Sequence, residues 1–123
     1  MSAFDDLSDI GPQRLFAGYL ARAVHGDGLT FAVVEIEPGA ALPEHHHDNE
    51  QLGMVLRGSM TFRVGDEERE LGPGGVWRIP PNVPHSASGG PDGAVALDVF
   101  TPPREDWKAL EAEELQPPLF PSR

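Results

Sequence analysis

Prolines and glycines cut this chain into short segments, and no other feature constrains its fold as strongly. The 123 residues include 14 glycines and 13 prolines, set between β-type runs rather than gathered in one tract. Pro38-Gly39 stops the run LTFAVVEI at residues 29–36, and Gly58 ends QLGMVLR. Gly65-Asp66 reads as a hairpin turn between SMTFRV and EERELG. In SMTFRV, Met60, Phe62 and Val64 alternate with Ser59, Thr61 and Arg63, as a half-buried strand requires. Pro80, Pro81 and Pro84 exclude a helix and a central strand from GPGGVWRIPPNVPHSAS, in which Trp77 and Ile79 read as core. RLFAGYLARAV (residues 14–24) is read as a strand, and AVALDVF is the last clear one. Short strands with turns every eight to twelve residues or so predict an all-β sandwich or barrel. After Pro102-Pro103, REDWKALEAEEL has good helix formers. Pro103 suits the first helical position, and Trp107 and Leu110 would dock the helix on the barrel. QPPLFPSR reads as an arm or frayed end.

A chain of this length accommodates one domain. The expected division is an acidic lead-in over 1–12, the β-domain over 13–101, and a C-terminal helix and tail over 102–123. There is no cysteine, so the core forms without disulfides, which fits a reducing compartment. The acidic start lacks the basic and apolar regions of a secretory signal, and no apolar run approaches the ~20 residues of a membrane helix. The expectation is a cytoplasmic protein. With nine Lys and Arg against twenty Asp and Glu, the formal net charge is −11. That field repels phosphate backbones and anionic lipid surfaces, so a small molecule is the expected partner rather than nucleic acid or membrane.

Within PEHHHDNEQ, a strand would place His45 and His47 on one face and turn His46 away. Gln51 has the same parity. Read alone, the tract is either a solvated histidine-rich loop or part of a metal site.

The wider pattern favours the metal. Gly39-x5-His45-x-His47-x3-Gln51-x6-Gly58 closely resembles the first motif of the cupins, and Gly74-x5-Pro80-x-Asn82-x2-His85 resembles the second. The resemblance implies a single-domain jelly-roll β-barrel holding one divalent transition metal on His45, His47, Gln51 and His85. Imidazole and amide oxygen accept Zn, Ni, Fe, Mn or Co alike. The family's first motif usually has Glu at the position of Gln51, and its second usually has Gly at that of Asn82. Asn tolerates the left-handed backbone, so the second change is mild. The first leaves a neutral ligand set, so the dication keeps its full charge and attracts an anionic substrate more strongly. Cupins are often dimers, so a homodimer is expected.

In AVALDVF, Ala94, Ala96, Asp98 and Phe100 share one face and Val95, Leu97 and Val99 the other. The aliphatic face suits sheet packing, which leaves Asp98 and Phe100 for the lumen. A carboxylate there is costly unless a cation or a task justifies it; Asp98 either exchanges protons with substrate or supports a ligand histidine. Arg78 and Arg57 are read as lumen-facing and able to bind a carboxylate. DVFTPPRED, together with HHHDNEQ, is similar to small cupins that linearise 4,5-unsaturated uronates in pectin and alginate breakdown. That resemblance implies Asp98 and Arg104 as catalytic residues, Phe100 as a pocket wall, and ring opening with enol-to-keto tautomerisation. Arg104 at a helix start is unfavourable beside the dipole, which favours an anion partner there. A metal-dependent dioxygenase, a polyketide-type cyclase and a non-catalytic sugar- or metabolite-binding cupin are the other expectations. The missing length and basic patch for a DNA-binding partner domain weigh against a sensor.

Overall fold

The computed structural model describes residues 2–121. Its strands are β1 (Gln13–Phe16), β2 (Tyr19–His25), β3 (Thr30–Ile36), β4 (Ala41–His45), β5 (Glu50–Val64), β6 (Glu67–Leu71), β7 (Val76–Ile79) and β8 (His85–Thr101), followed by the short helix α1 (Glu105–Lys108). They form one 8-stranded antiparallel sheet ordered β1-β2-β3-β8-β5-β6, with β4 on β8 and β7 on β5. The long strands β5 and β8 pair from Glu50↔Thr101 to Val64↔His85. The first half of β5 runs beside β7 and the second half beside β6, while β8 joins β4 at its start and β3 at its end.

Such long strands can line one lumen only by bending midway, and the bend is built in. The β5–β8 register shifts between Val55 and Arg57 and again between Gly58 and Met60. Bulges of this kind sharpen the twist. Gly58 (φ 77°) and Gly93 (φ 74°) face each other there, and a Cβ on Gly58 would collide with the Gly93 carbonyl. The bend turns the inner faces of both halves toward one core. Val34, Ala96 and Phe100 from one half meet Met60, Phe62 and Ala87 from the other, with Trp77 between them. Each large apolar side chain buried in this way stabilises the fold by about 1.5–3 kcal/mol.

Three expectations need correction. Residues 14–24 form a hairpin, β1 and β2, turned at Gly18 (φ 83°) rather than a single strand. The C-terminal helix spans only Glu105–Lys108, with Arg104 at its N-cap and Pro103 outside it. Trp107 is buried against Phe100 as expected, but Leu110 is exposed and contributes its carbonyl, which accepts from Gln13 Nε2 at 2.8 Å. A single short helix is marginal in water, and Glu111, Glu113 and Glu114 would sit at its negative end. The barrel also takes the backbone beyond it, since Glu113 N–H donates to Pro12 O at 2.7 Å. Of the two readings of the tail, its described residues, through 121, bear out the arm rather than the frayed end; Ser122 and Arg123 lie outside the described residues. Gln116 O accepts from Arg22 at 2.9 Å, and Leu119 N–H donates to the Glu35 carboxylate at 2.9 Å. Residues 111–121 therefore strap the outer face of β2 and β3.

Candidate metal centre and active site

Strand register brings the histidines together. His45 ends β4 and lies opposite His85, the first residue of β8. His47 follows in the loop before β5, where Asn82 N–H donates to His47 O at 2.7 Å and ties the two motif loops together. Asn82 adopts φ 65°, the left-handed conformation in which the usual Gly is replaced at little cost. His46 is exposed.

Each imidazole is oriented by a backbone carbonyl two residues away. Nδ1 of His45 bonds Pro43 O at 2.8 Å, Nδ1 of His47 bonds Asn49 O at 3.0 Å, and Nδ1 of His85 bonds Val83 O at 2.8 Å. A carbonyl only accepts, so Nδ1 carries the proton in all three rings and the Nε2 lone pairs remain free for a metal. The ligand nitrogens lie within 4.8 Å of one another. Nε2 of His85 is buried with no hydrogen-bond partner among the described residues. An orphaned buried nitrogen is costly, and a metal at this point would satisfy it. Burial lowers the pKa of His85 to about 4, and burial followed by the charge of Arg104 lowers that of His47. Both shifts favour the neutral ring, the form that ligates.

Gln51 is the fourth group. It is buried, with Oε1 3.1 Å from His47 Nε2, and its amide Nε2 donates to Asp98 Oδ1 at 2.9 Å. Trp77 Nε1 donates to the same oxygen at 2.8 Å. The residues fit a divalent cation: three imidazoles and an amide oxygen are the donors that transition metals accept.

Asp98 lies on the lumen face with Ala94, Ala96 and Phe100. Burial raises its pKa to about 6 against the opposing pull of the Gln51 and Trp77 hydrogen bonds. Both bonds land on Oδ1, and Oδ2 has none among the described residues. Asp98, Gln51, His45, His85, Phe100 and Arg104 all line a 60 Å³ cavity. It opens toward a 290 Å³ depression that shares Leu15, Leu42, His45, Arg104 and Trp107 with it. Arg104 stacks at 4.8 Å over Phe100 and 4.3 Å over Trp107. The anion partner expected of Arg104 is present as Asp106, gripped through Nε at 3.0 Å and Nη2 at 2.9 Å.

Two expected lumen residues lie elsewhere. Trp77 and Ile79 take the inner face of β7, so Arg78 between them is exposed on the outside, opposite Leu52. Arg57 is carried outward by the β5 bulge. It pairs in register with outer-face Val95, and its guanidinium donates to Leu119 O at 2.8 Å in the tail. Sequence reasoning placed Trp77 only in the core and did not single out Asn49, which orients His47 and donates to Pro102 O at 2.6 Å. Strand parity beside Ile79 marks Trp77 as inward, but its N–H partner appears only with the register of β5, β7 and β8.

An antiparallel barrel that gathers histidines from two loops into its lumen has the architecture of the cupins. The profile of the cupin domain family matches residues 32–100, and the chain belongs to that family. It is 30% identical to the pectin degradation protein KdgF of Dickeya dadantii over 82 residues, which cover 66% of this chain and 74% of that protein. It is 33% identical to the H2HPP isomerase of Bacillus subtilis over 66 residues, 52% of this chain and 28% of that protein. Among solved structures, KdgF from Halomonas sp. superposes with a TM-score of 0.79 at 25% identity, covering 86% of this chain and 98% of that one. No helix among the described residues is long and apolar enough to cross a membrane.

Proposed function

We propose that this chain is a metal-dependent enzyme that opens and tautomerises a small, oxygen-rich anionic substrate of the unsaturated uronate class without redox chemistry. The carrying observation is one constellation: three imidazoles whose ligand nitrogens lie within 4.8 Å of one another, two of them (His45 and His85) lining one cavity with Gln51 and with a buried Asp98 hydrogen-bonded on one oxygen only among the described residues. Similarity to a pectin degradation protein over most of both chains supports the substrate class, and similarity to an isomerase supports proton transfer over oxidation.

His45, His47, His85 and Gln51 would hold the ion. A divalent cation held there would supply Lewis-acid stabilisation of charge developing on substrate oxygens. Asp98 moves the proton at Oδ2, the oxygen without a hydrogen bond, and its raised pKa suits transfer near neutral pH. Phe100 and Trp107 wall the mouth and exclude water, while Arg104, packed against both rings, steadies the substrate carboxylate by exchanging part of its grip on Asp106. The neutral ligand set adds no negative charge against an anion.

The test is metal analysis of the purified protein, followed by an anaerobic assay on 4,5-unsaturated uronates that reads loss of the conjugated ultraviolet absorbance. About one metal per chain and turnover without O₂ are expected. Turnover that requires O₂ would replace this reading with the dioxygenase one, and a metal-free protein active at full rate would remove the centre from the mechanism.

A further inference from the structure

Most cupin motifs resembling this one carry a glutamate where this chain has Gln51, and the lumen holds a physical reason for the difference. In the register, Gly53 is opposite both Trp77 on β7 and Asp98 on β8. Gly53 shows no left-handed φ, so its role is space. A Cβ there would strike the Trp77 indole and Asp98 Oδ1. The missing side chain lets the indole reach across β5 and donate to Asp98 at 2.8 Å. Gln51, two residues before Gly53 on the same face, donates to the same oxygen at 2.9 Å. Trp77, Asp98 and Gln51 are all buried. Trp77 does not line the cavity, and its ring is also stacked on Phe62 at 4.6 Å.

The donor–acceptor inventory makes this chain of hydrogen bonds directional. An indole N–H only donates, so it requires an acceptor at the Oδ1 position of residue 98. That acceptor then demands a donor from residue 51, which sends the Gln51 oxygen toward the histidines. A glutamate at position 51 has no N–H to give and would set two carboxylates against each other. We propose that Trp77 is a positioning residue: by donating to residue 98 it fixes that residue's acceptor end toward residue 51, so that the fourth ligand position favours glutamine over glutamate whether residue 98 is Asp or Asn. This rests on the metal reading of the site and goes beyond it, because it assigns ligand selection to a residue outside the cavity.

The test is Co²⁺ titration of the full chain at pH 8, where a proton shared between two carboxylates is scarce. Gln51→Glu should lower affinity about 10–100-fold, the range for disturbed outer partners of a metal ligand. Adding Asp98→Asn removes the charge clash but should restore affinity only in part while Trp77 is present. The indole claims the new amide's oxygen for the Oδ1 position, leaving no N–H for the carboxylate now at position 51. Adding Trp77→Phe to that pair frees the amide at position 98 to turn, and affinity should recover. Trp77→Phe alone should leave Co²⁺ affinity close to wild type, because Asp98 still only accepts. Should the Phe variant unfold, benzothienylalanine at position 77 keeps the ring and deletes the N–H. Full rescue of Gln51→Glu by Asp98→Asn with Trp77 intact overturns the proposal, as does no further recovery in the triple variant. A wild-type chain that binds no Co²⁺ overturns both this proposal and the metal reading, whereas binding unaffected by any of these changes overturns this proposal alone.

Discussion

Two charged side chains are buried on opposite faces of the barrel wall, and they are treated differently. Arg22, on the outer face of β2, is 0% exposed; it meets Glu35 at 2.7 Å and the carbonyl of Gln116 at 2.9 Å. Asp98, on the inner face of β8, meets only two neutral donors on one oxygen, and its pKa is pushed to about 6. A buried charge is expensive and is normally paired. The outer charge is paired, and it fastens the C-terminal strap to the sheet. The inner one has no ion-pair partner among the described residues and only the more distant charge of Arg104 to favour it, an arrangement that destabilises the metal-free barrel and that a cation or a proton relieves. The contrast separates a charge that serves the fold from one that serves the site.

Glu35→Ala should break the contrast hardest. It strands Arg22 without its counter-ion, and losing one partner of a buried pair costs about 3–5 kcal/mol. Chemical unfolding should show a loss of that size with metal content unchanged. A loss similar to that of an exposed pair would place Arg22 among the inconsequential contacts.

Ending the chain after Leu110 leaves the Glu35 pair but removes the Gln116 carbonyl together with the bonds of Glu113 to Pro12 and Arg14 and of Leu119 to Glu35 and Arg57. A hydrogen bond to a charged group contributes about 1.5–3 kcal/mol, and stability should fall by at least that much while Co²⁺ affinity stays put. A fall in affinity would instead tie the strap to the lumen.

The smallest effect is in pH. In metal-free protein, the folded pKa of His85 (about 4) lies below its unfolded value of about 6.5. The unfolded chain therefore takes up the proton first, and stability declines as pH falls from about 6.5 toward 4. Asp98, folded pKa about 6 against about 3.9 unfolded, has the opposite sign: its cost is present above pH 6 and relieved as pH falls. The two should largely offset each other in wild type. Asp98→Asn should uncover the His85 decline in metal-free melts between pH 6.5 and 4, and an unchanged profile would contradict these assignments.

The inner face was legible because strand parity is strict where a strand is regular. Ala94, Ala96, Asp98 and Phe100 fall inward as the alternation in β8 requires, and Trp77 and Ile79 do so in β7. Arg57 defeats parity because an extra residue at the β5 bulge, set by the Gly58–Gly93 corner, reverses the count. Arg78 was misread against its own neighbours, since two inward residues flanking one position leave that position outside. The C-terminal segment was hidden for a different reason. Its helix propensity is real, but Arg14, Pro12, Arg22 and Glu35 offer it hydrogen bonds that only the folded sheet assembles. The histidine motifs announced the site; the Trp77–Asp98–Gln51 chain of hydrogen bonds did not, because it depends on three strands meeting across Gly53.

Asp98→Asn tests the central claim most directly, because asparagine keeps an acceptor for both Trp77 and Gln51 while removing the charge. Relieving a buried carboxylate whose pKa stands about two units high should stabilise metal-free protein at pH 8 by about 2–3 kcal/mol. Metal content should persist, and turnover of unsaturated uronates should fall about 10²–10⁴-fold, as for loss of a positioned proton donor or acceptor. A variant that is less stable yet fully active would contradict the account, for Asp98 would then be a structural charge like Arg22.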